Sequence, residues 1–426
     1  MADFTAQVFQ NEYLADGATD VHAVVSVACA NAGTAGQTGA GDAAEIVIID
    51  ASGSMETPST KIRAARAGAQ TAIDEIVDGT WFGVVVGRDY AQIAYPDDGS
   101  LTVRMDAGHR HAAKAAVKRV GTSGGTAIGS WLRLATEMFV GTEAKQRHAI
   151  LLTDGKNESE QPHELAAAID GARGVFQCDC RGVGEHWVVQ ELRSIATSLL
   201  GSVDLIADPN EMAEDFAGMI RSAMGRGVAT AELRVWAPQG SEVLYVRQVA
   251  PTVDDLTPRG VALSPLIREF PTGAWGDESR DYHVAVRVAA RPAGSEQLAA
   301  RVQLVTGPDD EVVAQGLVKA VWTDDTNLTT RIDPAVAHYT GQAELAGAIQ
   351  AGLAARAAGD DRTATVQLGR AVQLAAETGN DATTRLLAKV VEVADADTGT
   401  VRLKPDVSKL DEMALDTRST KTTRVK

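Results

Sequence analysis

The chain has 426 residues, 45% hydrophobic and 23% charged, and its 57 acidic against 40 basic side chains give a formal net charge of -17. That length accommodates roughly two to four domains, and the acidic balance opposes general nucleic-acid binding because it leaves no broad basic face. Cys29, Cys178 and Cys180 cannot form a disulfide framework, no apolar run reaches membrane-span length, and the Met1-Ala-Asp3-Phe opening lacks the basic and apolar regions of a secretory signal; a cytoplasmic protein is the expectation.

Residues 3–30 read as strands: Ala6 to Tyr13 and His22 to Cys29 flank Asp16-Gly17, a hairpin signal. Asn31 to Asp42 is rich in Gly, Ala and Thr and is expected to be a flexible connector. Ile46 to Ile49 is a β-branched run of the kind buried on both faces of a parallel sheet, and it ends at Asp50. Ser52 and Ser54 follow at alternate positions before the Ala-rich helix Lys61 to Val77. Next come a strand over Thr80 to Val86, an edge strand near Ala91 to Tyr95, a helix from His109 to Arg119 and a helix opening at Thr126. The Ala149 to Thr153 strand runs into Asp154-Gly155, and strand–helix alternation continues to Met224. Such alternation predicts a doubly wound, mostly parallel α/β sheet.

From Ala229 the pattern changes to alternating segments, Glu232 to Trp236, Ser241 to Val246, Asp281 to Val288 and Gln297 to Val305, punctuated by Pro and Gly. This predicts an antiparallel sandwich. An isolated hairpin is marginal in water, so the N-terminal strands are expected to join that sandwich, with the α/β domain inserted between. Residues 334–396 are helical and Ala-rich, a helical bundle. The tail is polar, aperiodic and expected to be disordered. The expected domains are thus 1–42 (N-terminal strands), 43–226 (α/β), 227–325 (sandwich), 326–400 (helical bundle) and 401–426 (disordered Thr-rich tail).

Asp50, Ser52 and Ser54 cluster at the carboxyl end of a central strand, where open α/β sheets hold their ligands. Small oxygen donors with one or two carboxylates suit a hard divalent cation that keeps some of its waters. The D-x-S-x-S pattern resembles the metal-ion-dependent adhesion site of von Willebrand factor A domains. Gly124-Gly-Thr126 and Thr153-Asp154 stand where that family carries its remaining Thr and Asp. The resemblance implies that Asp50, Ser52, Ser54, Thr126 and Asp154 hold Mg²⁺, with Mn²⁺ or Ca²⁺ as substitutes. It further implies a non-enzymatic protein whose metal accepts an Asp or Glu side chain of a protein partner. The whole layout resembles actinobacterial von Willebrand A proteins linked to Ser/Thr kinases and forkhead-associated proteins, which implies a role in signalling or complex assembly. The alternative is an accessory subunit of an AAA+ ATPase or chelatase-like machine.

Other candidates carry simpler explanations. Cys178 and Cys180 share one face of a strand and read as core, with His186 short of a four-ligand set. His109 and His111 read as a solvated helix start, and no nucleophile stands beside a base. Thr417, Thr420, Thr422 and Thr423, beside Arg418, Lys421 and Arg424, are candidate phosphorylation sites on the tail, which a kinase or a forkhead-associated partner would read.

Overall fold

The structure, a computed structural model, describes residues 2–35, 43–307 and 309–425. It comprises two compact units: residues 32–230 with 273–276, and residues 1–31, 231–272 and 277–426. In chain order the first strands are β1 (Asp3–Gln10), β2 (Tyr13–Leu14) and β3 (Asp20–Ala30). Most of the expected connector, residues 36–42, lies outside the described residues.

The α/β unit contains β4 (Ala43–Asp50), α1 (Thr60–Glu75), β5 (Trp81–Gly87), β6 (Ala91–Tyr95), β7 (Val103–Arg104), α2 (Ala107–Lys118) and α3 (Ile128–Val140). It continues with β8 (Gln146–Thr153), α4 (Pro162–Ala172), β9 (Gln177–Val183), α5 (Val189–Ser198), β10 (Val203–Ile206) and α6 (Met212–Met224). Its sheet runs in the order β10-β9-β8-β4-β5-β6, with β7 also on β5. The pairs from β10 to β5 are parallel; β6 stands at the edge, as the sequence suggests, and pairs antiparallel.

β4 is buried throughout, as its unbroken apolar run requires. Val47 and Ile49 pack with Ile62, Ala69 and Ile73 of α1 and Phe216 and Ile220 of α6. Ile46 and Ile48 alternate to the opposite face, where α3 crosses. There Gly83 and Gly87 leave room for Met138 and Trp131: a Cβ at either would fall within 2.3 Å of those side chains. Successive strands leave β4 in opposite directions, β5 on one side and β8 on the other. The carboxyl end of β4 is therefore the topological switch point, where the sheet opens a crevice.

The second unit adds β11 (Val228–Trp236), β12 (Glu242–Ala250), β13 (Asp254–Asp255), β14 (Val261–Ser264), β15 (Ile267–Trp275), β16 (Glu278–Arg287), β17 (Glu296–Thr306) and β18 (Glu311–Trp322). They form a sheet β1-β3-β16-β12-β13 and a sheet β14-β15-β11-β17-β18-β2. β1 and β3 pair antiparallel, but the residues between them do not make a simple hairpin, because β2 leaves to pair in parallel with β18. β3 joins β16 along ten residue pairs, from Cys29–Glu278 to Asp20–Arg287.

The helical part contains α7 (Thr326–Thr329), α8 (Pro334–Ala357), α9 (Asp361–Glu377) and α10 (Asp381–Val390), followed by β19 (Val391–Asp395), β20 (Thr400–Leu403) and α11 (Lys409–Arg418). Leu345, Ile349, Leu368, Val372, Leu387 and Leu415 share one core. The expected all-helical bundle over 326–400 thus needs correction, since β19 and β20 form a hairpin where a continuing helix was expected. Over the described residues 401–425 the expected disorder also needs correction. Ser408 caps α11 by accepting from Asp411 N, and Met413, Ala414 and Leu415 are buried beneath it. Beyond α11, Val253 N donates to Thr420 O and Thr422 N to Pro251 O, which holds the chain end as an added strand segment. Among the described residues no helix is long and apolar enough to cross a membrane.

Candidate metal centre

Four short segments converge at the carboxyl end of β4. Asp50, the last residue of that strand, is fully buried. Its Oδ1 accepts from Ser52 N at 2.7 Å and its Oδ2 from Thr153 Oγ1 at 2.6 Å. Burial above all, with a smaller push from the Asp154 charge, raises the Asp50 carboxyl to about 6 against the hydrogen bonds from Ser52 and Thr153 that pull it down. Ser52 Oγ lies 2.9 Å from Ser54 Oγ, which donates to Asp154 Oδ1 at 2.6 Å. Asp154 is likewise fully buried and Ser52 and Thr126 nearly so, whereas Gly53 and Ser54 are exposed, so Ser54 is the solvent side of the cluster.

Thr126 reaches this point from the loop before α3. Gly53 N donates to Gly124 O at 3.0 Å, which fastens that loop to the D-x-S-x-S turn. Gly124 takes a φ of 73°, where a side chain is disfavoured and would also strike Asp89. The loop after β8 fixes the other side: Thr126 N donates to Ser159 Oγ at 3.0 Å, and Ser159 N to Thr126 O at 2.9 Å. Asn157 Oδ1 accepts from Ile128 N and Glu160 Oε1 from Gly129 N, so this loop caps α3, whose own N-cap residue supplies no side-chain bond. The loop that carries Thr126 and the loop that follows Asp154 are thereby fastened to each other.

The residues fit a small hard cation. A Cβ on Gly155 would stand 2.9 Å from Thr126 Oγ1 and 3.6 Å from Ser54 Oγ, so the glycine leaves a cradle faced by two hydroxyl oxygens. Neutral oxygens with two carboxylates behind them are the donor set of Mg²⁺-type sites that retain water. All five residues singled out from the sequence, Asp50, Ser52, Ser54, Thr126 and Asp154, therefore lie in one locality.

Sequence reasoning missed Lys61. Its Nζ lies 2.6 Å from Asp154 Oδ2, with Lys61 7% exposed. Lys61 sits in the first turn of α1, where the helix dipole disfavours a cation; a basic residue there was the available sign of a specific anionic partner. Thr153 was missed as the donor to Asp50, as were Asn157, Ser159 and Glu160 as the lacing between loops.

The remaining candidates do not join this site. Cys178 and Cys180 are buried free thiols with sulfurs 3.9 Å apart, and His186 is exposed. His109 lies against Tyr95 at the start of α2. Thr417 is buried and donates to Met413 O at 2.6 Å. Thr422 Oγ1 donates to Val249 O at 2.7 Å, and Thr423 Oγ1 accepts from Gln342 at 3.1 Å. Thr420 gives its backbone carbonyl to Val253 N. These threonines belong to a packed segment rather than a free tail, and a kinase would first have to detach it.

The family model for the von Willebrand factor type A domain matches residues 46–157, and that for the von Willebrand factor type A C-terminal domain matches residues 373–419. The solved structure of a von Willebrand factor type A protein from Catenulispora acidiphila is 49% identical, with 99% of this chain and 97% of that one covered and a TM-score of 0.93. This chain belongs to the von Willebrand factor type A family. Such domains are generally protein-interaction modules, and they commonly bind a metal at the adhesion site. Two more distant structures share the fold alone. The ArnB paralog VWA2 from Sulfolobus acidocaldarius is 14% identical, with 98% of each chain covered and a TM-score of 0.58. The human COPII-coat protein Sec24c is 11% identical, covering 89% of this chain and 58% of that one, with a TM-score of 0.54. No curated protein matches the chain.

Proposed function

We propose that this protein is a cytoplasmic, non-enzymatic binding protein that captures an acidic side chain of a protein partner through Mg²⁺, in signalling or complex assembly. The cation would be held among Asp50, Ser52, Ser54, Thr126 and Asp154, where it supplies an electron-poor centre that accepts a carboxylate oxygen. The observation that carries this reading is the hydroxyl cluster itself. Ser52, Ser54 and Thr126 offer neutral oxygens, Ser54 exposed and the other two buried, while the two carboxylates are spent on internal hydrogen bonds. A centre ligated mainly by neutral oxygens keeps its positive charge and favours an anionic ligand. We also read the two antiparallel sheets as one sandwich carrying the α/β domain as an insert. The pairing of β3 with β16 supports that reading, as does the approach of Val8 and Val25 to Gly316, whose Cβ would meet both.

The test is an affinity capture from lysate with the tagged protein in Mg²⁺, in EDTA, and as the Asp50→Ala variant. A partner recovered only with Mg²⁺ and intact Asp50 is the expected outcome. A partner retained equally in all three samples would move recognition to the second unit.

A further inference from the structure

The feature that the D-x-S-x-S reading does not absorb is the buried ion pair behind it. Every carboxylate oxygen of the cluster already has a donor: Ser52 N and Thr153 Oγ1 on Asp50, Ser54 Oγ and Lys61 Nζ on Asp154. Three of these donors are neutral, and the fourth is an ammonium group. Lys61 and Ser54 hold opposite oxygens of the same carboxylate, at 2.6 Å each, so a full positive charge stands one carboxylate away from the hydroxyl cradle. Both charged groups are nearly inaccessible, with side-chain exposures of 9% for Lys61 and 0% for Asp154. Solvent screening of that charge is correspondingly weak.

We infer that Lys61 is the specificity-determining residue of this centre: it holds the resident cation's affinity low and makes tight cation binding depend on an anionic ligand. The inference rests on the metal-bridged reading above. Charge counting gives the reason. Asp50 and Asp154 contribute two negative charges, Lys61 one positive and a divalent cation two, which leaves the loaded site one positive charge in excess. A partner carboxylate cancels that excess, whereas a neutral carbonyl does not. Without Lys61 the loaded site would already be neutral, and an incoming carboxylate would add an uncompensated negative charge. Lys61 thus converts a site that could hold its cation alone into one that takes cation and acidic ligand together. Lys61 also fixes the Asp154 carboxylate that orients Ser54, but that positioning effect is short-range and neutral donors can partly replace it. Repulsion between an ammonium and a divalent cation across a few ångströms of buried site outweighs it.

Mn²⁺ titration followed by electron paramagnetic resonance, on the full chain with and without acetate as the carboxylate probe, tests this directly. The variants are Lys61→Met, Lys61→Gln (which keeps a hydrogen-bond donor for Asp154 if the methionine variant folds poorly) and Asp50→Ala. The wild-type protein should bind Mn²⁺ weakly and gain affinity when acetate is added. Both Lys61 variants should bind Mn²⁺ at least about tenfold more tightly without acetate, and acetate should no longer help. Asp50→Ala should bind none. Lys61 variants with unchanged or weaker Mn²⁺ affinity, in a wild-type protein that does bind Mn²⁺, would overturn the role of Lys61 while leaving the metal-bridged reading intact. Absence of Mn²⁺ binding in the wild type and in both Lys61 variants would overturn the two together.

Discussion

The two ends of the central strands of the α/β unit carry buried charge in opposite styles. At the amino end, Glu45 of β4 and Asp179 of β9 hold His148 of β8 between them: Nδ1 lies 2.8 Å from Glu45 Oε1, and Nε2 lies 2.9 Å from Asp179 Oδ2. Burial alone would push His148 down, but the two carboxylates outweigh it and hold the imidazolium up to about 9. Burial would likewise raise Asp179, yet the hydrogen bond and charge of His148 leave it well below the usual carboxylate range. Ser202 adds two further donors to Asp179, each at 2.6 Å. At the carboxyl end, roughly 16 Å along β4 at about 3.3 Å per residue, Asp50 has only an amide and a hydroxyl as donors, and its carboxyl is pushed up to about 6. The amino end is closed by one cation that bridges both carboxylates and serves the fold, although burial still raises the Glu45 carboxyl. The carboxyl end also has a cation, Lys61, but it reaches Asp154 and not Asp50, so Asp50 is left with neutral donors beside hydroxyls, an arrangement that a bound cation would relieve.

Replacing the central cation of the closed end should give the largest effect. His148→Phe leaves Glu45 and Asp179 buried without their cation, and chemical denaturation near neutral pH should show a loss of about 3–5 kcal/mol. The pH dependence has a defined sign. The raised His148 contribution is present below the ordinary histidine range and is lost as pH rises through about 9. The lowered Asp179 contribution is present above the ordinary carboxylate value and is lost as pH falls. An unchanged midpoint in His148→Phe would erase the contrast between the two ends.

At the open end the sign reverses. A carboxyl raised to about 6 favours its protonated form in the fold, so Asp50 is stabilising in acid and costs stability as pH rises through about 6. In EDTA near neutral pH, Asp50→Asn should therefore stabilise the protein by about 1–3 kcal/mol, while abolishing stabilisation by Mg²⁺. A destabilised Asp50→Asn in EDTA would mean that Asp50 is as well compensated as Asp179. Gly155→Ala comes last, with a loss of about 1–3 kcal/mol expected in denaturation. Its Cβ would enter the space before Thr126 Oγ1 and Ser54 Oγ, and titration calorimetry should show Mg²⁺ affinity reduced at least about tenfold.

The fold of the α/β unit was legible because its signals are local: unbroken apolar strands and Ala-rich helices. Asp50, Ser52 and Ser54 could be read for the same reason, since one turn carries all three. Lys61 could not, because its partner Asp154 lies 93 residues away and nothing in the intervening pattern pairs them. β18 escaped notice because, before Trp322 at its very end, its buried positions are Ala314, Gly316, Val318 and Ala320, while the bulkier Val312 and Leu317 face outward. Small residues bury little area each, so the alternation carries a weak hydrophobic signal. The tail misled through composition. Its threonines and charges read as solvated, yet Ser408 with Asp411 is a helix-start signal and Met413 and Leu415 supply the apolar face.

The central claim is that the five oxygen-bearing residues at the end of β4 form a cation site. Titration calorimetry of Mg²⁺ into the wild-type protein and Thr126→Ala, both supplied with a carboxylate such as acetate, tests it most directly. Thr126 reaches the cradle from a separate loop and, unlike the carboxylates, leaves no buried charge unpaired when truncated. The account predicts saturable binding to the wild type and its loss in a folded Thr126→Ala. Equal binding by both proteins, or none by the wild type, would contradict it.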